Sequence, residues 1–150
     1  MGYNSYIRLI KTDNEGNIIW EKIYHDGEKR SDRGKAVYQT SDGGFIIGGS
    51  TAGTPTETDY DSDFSLIKTD NNGNILWRKR FERERDQFIS DMTPTQDGYI
   101  LVGQTWNPDY KNSNTDFYVL KTDMDDAMDI LSQSEEVKSF QDNIIWNRTY

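Results

Sequence analysis

Residues 66–77 are nearly a copy of residues 9–20, and the same series returns, broken open, between Leu120 and Trp146. A sequence that repeats itself folds as copies of one supersecondary unit, none of which buries its apolar face alone. Two units alternate here. In the first, an apolar strand over residues 6–12 ends in Lys-Thr-Asp, turns through Asp13-Asn14-Glu15-Gly16-Asn17 and returns over residues 18–24, carrying Trp20. Its second copy spans residues 64–69, the turn Asp70-Asn71-Asn72-Gly73-Asn74 and residues 75–81. Glycine supplies the positive φ of such turns, and Asp and Asn bond the local backbone. The second unit is also a hairpin: residues 36–40, the turn Ser41-Asp42-Gly43-Gly44, then residues 45–50. It recurs as residues 89–95, Gln96-Asp97-Gly98 and residues 99–104. Asp-Gly between β-rich runs is a strong hairpin signal, and Gly48, Gly49 and Gly103 let neighbouring backbones or sheets approach closely.

The first unit repeats after 57 residues (Asp13 to Asp70) and again after 53 (Asp70 to Asp123), and the second after 55 (Asp42 to Asp97). Four short strands in such a period are the signature of a β-propeller blade. A β-solenoid has shorter coils and no need of two tight hairpins per period, and a β-sandwich gives no reason for repetition. Alternation along residues 18–24 sets Ile18, Trp20 and Lys22 on one face and Ile19, Glu21 and Ile23 on the other. Both faces are partly apolar, as in a sheet stacked between neighbours.

The Leu-Ile-Lys-Thr-Asp-Asn-Asn-Gly-Asn-Ile-Leu-Trp hairpin and the Thr-Ser-Asp-Gly-Gly-Phe-Ile-Ile-Gly-Gly-Ser-Thr hairpin resemble the propeller repeats, quinoprotein-like or kelch-like, of many secreted or surface bacterial and archaeal proteins. The Asp…Gly…Trp spacing is similar to the tryptophan-docking turn of quinoprotein-type blades, one residue shorter between Asp and Gly. The resemblance covers nearly the whole chain apart from residues 124–141. It implies a fold rather than an activity: such turns are structural in quinoprotein enzymes, and nothing here matches a quinone site. It also implies an extracellular or cell-surface setting. The residues themselves leave the compartment unknown, and Met1 to Ser5 has neither the basic region nor the apolar core of a signal peptide.

By the same resemblance the Lys-Thr-Asp hairpin is the outer strand pair of a blade and the Asp-Gly hairpin the inner pair. The chain then reads as a single domain, residues 1–150, with an outer half blade at 3–24, a blade at 35–82 and a blade at 88–150. That is about two and a half blades, whereas a closed ring takes at least about four. Uncovered sheet faces and edges invite association. The expected function is therefore a non-enzymatic structural or interaction scaffold that self-associates to complete a propeller. The competing readings are a truncated piece of a longer propeller and a loop-based module for binding a glycan or protein.

Sixteen residues are inserted in the third copy, between Asp123 and Trp146. The composition changes there: glycine and proline vanish, and Met, Ala, Leu and Glu enter. Asp123 suits an N-cap, and Met124, Ala127, Met128 and Leu131 fall at i, i+3, i+4 and i+7. A helical insertion over 124–141 is expected, continued toward Val137 and Phe140. Its apolar face either caps the last blade or docks into a partner protein, and packing is the commoner use of such a stripe.

A net charge of −9 and a pI near 4.5 oppose binding to a nucleic-acid backbone. No cysteine is present, so disulfides and thiolate metal sites are excluded, and no apolar run is long enough for membrane insertion as a helix. Asp59, Asp61 and Asp63 alternate like the start of a calcium loop. Phe64 occupies the sixth position and Asp70 the twelfth, where that loop needs Gly and Glu, so calcium stands only as a weak candidate and no cofactor is expected. Trp106 and Tyr110, read as lying in one loop, are candidates for stacking on a sugar, or Trp106 packs under its own loop. His25 stands beside Asp26 without a nucleophile pattern. No convergent acid, base and nucleophile set is legible, and an enzyme is the least favoured class.

Overall fold

A computed structural model describes residues 5–26, 31–52, 62–82, 86–107 and 114–123. Among these residues nine strands form three antiparallel sheets. The first pairs β1 (Ile7–Thr12) with β2 (Ile18–Tyr24). The second runs in order through β3 (Asp32–Gln39), β4 (Phe45–Ala52), β5 (Ser62–Thr69) and β6 (Ile75–Phe81). The third contains β7 (Gln87–Pro94), β8 (Gly98–Asn107) and β9 (Asn114–Asp123).

The hairpin turns form for reasons written in their residues. Asp13 Oδ1 accepts the backbone N–H groups of Glu15 and Asn17, and its Oδ2 accepts the Asn17 side-chain amide. Asp70 repeats every one of these bonds with Asn72 and Asn74. Gly16 and Gly73 take φ of 88° and 77°, a conformation that favours glycine. The irregularities repeat too. The pairing slips between Lys11 and Thr12 and again between Lys68 and Thr69, so Ile19 and Leu76 are each the extra residue of a bulge.

The four-stranded sheet lies in the middle and is covered on both sides. Ile46, Phe64 and Leu66 on one face meet Ile89, Met92, Tyr99 and Leu101 of the third sheet. Ile47 and Ile67 on the other face meet Ile7, Leu9 and Tyr24 of the first. Each such side chain contributes about 1.5–3 kcal/mol by leaving water. The Phe64 ring stands edge-on to Tyr118, with centroids 5.2 Å apart. Trp20 meets Phe45 in the same manner at 5.7 Å. Polar contacts join the layers as well. Tyr24 donates its hydroxyl to the Gly73 carbonyl (2.9 Å), and burial pushes the Tyr24 hydroxyl pKa up, with the Asp70 charge adding to it. The Ile89 N–H donates to Ser50 Oγ (3.2 Å), and Ser62 N–H to Asp86 Oδ1 (2.7 Å).

Two expectations need correction. Among the described residues the chain is all-β and holds no helix, because tight turns and alternating apolar residues leave no stretch of helical period there. The expected helical insertion over 124–141, with Met124, Ala127, Met128, Leu131, Val137 and Phe140, lies outside the described residues, as does Trp146. The propeller is replaced by three small sheets stacked in a row, because each sheet packs its apolar face on the next and the two terminal faces meet no further sheet among the described residues.

Candidate functional site

Repeat equivalence identifies the surfaces that stand out. In the middle sheet Phe64 and Leu66 are 0% and 1% exposed beneath the third sheet. Their counterparts in the third sheet are Phe117 and Val119, at 73% and 44%. The cross-strand pairs Val102–Val119 and Gln104–Phe117 put these residues on the face turned away from the stack, with Ile100, Phe88 and Trp106 on the same side. At the other end, Ile67 is 2% exposed under the first sheet, whereas its counterpart Ile10 is 44% exposed. Ile19 and Ile23 are also exposed on β2, around an Arg8–Glu21 ion pair of 3.2 Å. Both ends thus present surface that the middle sheet buries.

A polar clamp is the third repeated feature. Lys68 Nζ lies 2.8 Å from Asp42 Oδ2 and donates also to Thr40 Oγ1 (2.9 Å) and the Thr69 carbonyl (3.0 Å). Thr40 donates its hydroxyl to Asp42. The Lys68 bond, then those of Thr40 and the Gly44 N–H, hold the Asp42 carboxyl far below the usual carboxylate range. In the third sheet Lys121 pairs with Asp97 at 2.8 Å, and Thr95 donates to Asp97 at 2.9 Å. Lys121 and then Thr95 lower the Asp97 pKa in the same way. Each clamp ties an Asp-Gly turn of the inner hairpin to the Lys-Thr end of the next strand. Lys11-Thr12 on β1 repeats the strand half of the clamp, but its ammonium lies over the Phe45 ring, 5.8 Å from the centroid.

The other sequence-predicted residues are not brought together. Asp59, Asp61 and Tyr110 lie outside the described residues. Asp63 is buried within β5, where Arg80 Nε donates to its Oδ2 at 2.7 Å. It stands in a strand, paired with Arg80, rather than in a loop. Trp106 is also in a strand, β8, rather than in the loop beyond it. His25 meets Tyr6 edge-on at 5.4 Å. No three His, Asp or Glu side chains cluster to hold a metal among the described residues, and no described helix is long and apolar enough to cross a membrane. The exposed faces and the clamp were not legible as sites from the sequence. Their signal is a comparison of repeat positions, which acquires meaning only when burial is known. In comparisons with known proteins, no protein-family model matches the chain and no curated protein matches it.

Proposed function

We propose that this chain is a non-enzymatic scaffold that self-associates through the terminal faces of its sheet stack. The observation carrying this reading is the contrast between Phe64 and Phe117, the same position of the repeat, covered in one sheet and bare in the next. A cluster of Phe88, Ile100, Trp106, Phe117 and Val119 on one sheet face is apolar surface of the kind that marks association sites. The two ends of the stack differ, and joining one end to the other is a head-to-tail contact. Such contacts make rings or filaments according to whether the rotation closes. Sedimentation velocity on the full chain at low micromolar concentration is the test. Assembly beyond the monomer is expected, and Phe117→Asp returns it to a monomer with an unchanged β-sheet spectrum. A wild-type chain that stays folded and monomeric contradicts the reading.

Glycan binding through aromatic side chains is a second reading, favoured by the half-exposed Trp106 on that same face. A glycan array that gives a signal lost in Trp106→Ala, with the chain monomeric throughout, selects it.

A further inference from the structure

We infer that the edge of β1 that meets no strand among the described residues is an acceptor for a β-hairpin bearing a Thr-x-Asp-Gly turn on a partner polypeptide other than a second copy of this chain, which docks by strand addition and by closing a clamp on Lys11. This goes beyond association of sheet faces, because it concerns a strand edge. The acceptor is assembled from parts the molecule uses twice elsewhere. β5 pairs along its whole length with β4, from Phe45–Thr69 to Ala52–Ser62, and β9 pairs likewise with β8. β1 is their counterpart in the repeat, and among the described residues it pairs only with β2. Backbone groups along its other side are a template for one more antiparallel strand.

The clamp specifies which strand. Both occupied acceptors carry Lys-Thr at the end of the strand, and both receive a turn in which Thr bonds Asp and Asp bonds the lysine. Both turns also place glycine directly before an aromatic residue, Gly44-Phe45 and Gly98-Tyr99. The reason is steric: a Cβ on Gly44 would stand 2.1 Å from the Thr69 carbonyl oxygen, and one on Gly98 would stand 1.8 Å from that of Thr122. Thr69 and Thr122 are buried by this contact, whereas Thr12 is exposed. Lys11 supplies the positive charge that an incoming aspartate matches. The occupant comes from another polypeptide because both hairpins of this class in the chain, at Asp42 and Asp97, are already closed on their own sheets.

The probe is a synthetic peptide with the sequence of residues 31–52, cyclised through its ends so that the hairpin is preformed, titrated calorimetrically into the full-length chain. Saturable one-to-one binding is expected. Lys11→Gln in the chain, or Asp42→Asn in the peptide, weakens it by about tenfold or more, as loss of a charge-assisted bond does. Amides of β1 gain hydrogen-exchange protection with the wild-type peptide. Absence of binding, or binding indifferent to both substitutions, overturns the inference. So does assembly of the chain alone that Lys11→Gln abolishes, since the occupant is then a second copy exchanging its own hairpin. Phe117→Asp leaves peptide binding intact, so failure of face association and failure of edge docking are read separately.

Discussion

The middle sheet and the third sheet are built from the same repeat yet meet opposite fates. Phe64, Leu66 and Ile46 end beneath another sheet, whereas Phe117, Val119 and Ile100 end on the outside of the stack. Sequence at these positions barely distinguishes the two. Whether such a residue is core or surface depends on whether a next layer exists, which is a property of the stack and not of the strand. Lys68 and Lys11 teach the same lesson in polar form: identical Lys-Thr-Asp triplets, one clamped to an aspartate and one over an aromatic ring.

The comparison breaks if equivalent substitutions cost the same. Phe64→Ala removes a ring packed against Tyr118 and Gly103, and a loss of about 3–5 kcal/mol of unfolding free energy is expected. Phe117→Ala, measured in urea under conditions where the chain is monomeric, changes stability by about 0.5 kcal/mol or less. Ile67→Ala comes next, at about 2–5 kcal/mol, against about 0.5 kcal/mol or less for Ile10→Ala. Parity within either pair sinks the layered assignment of the core.

The smallest effect concerns the clamp. The folded-state pKa of Asp42 is depressed, with the Lys68 bond as its main cause. Its contribution is therefore fully present above the unfolded carboxylate range, near about 3.9, and is lost as pH falls through the lower folded value. Because Asp42 is half exposed in this pair, solvent screening keeps the gain modest. Urea midpoints between neutral pH and pH 2 should fall less steeply for Asp42→Asn than for the wild type. Parallel profiles would show that the clamp holds position without adding stability.

Much of the strand layout was legible because the turns state their own geometry. Asp13 and Asp70 sit where a carboxylate closes a loop, and Gly16 and Gly73 where φ turns positive. β2 and β6 occupy the residues that the repeat marks, 18–24 and 75–81. Strand starts were less legible. β3 begins at Asp32 and β5 at Ser62, earlier than the apolar runs suggest, because polar residues such as Asp63 are admitted by an arginine from the adjoining strand. Trp106 and Asp63 read as loop residues for the same reason: local composition does not reveal partners that arrive from far along the chain. The apolar residues on both faces of β2 suggest a sheet covered on both sides, whereas the first sheet is covered on one.

Solution mass is the most direct test of the central claim, that the outer face of the third sheet is made to be covered. Sedimentation equilibrium of the wild-type chain and of Phe117→Asp should give an assembly for the first and a folded monomer for the second. Identical monomer masses for both, with cooperative unfolding intact, would contradict it.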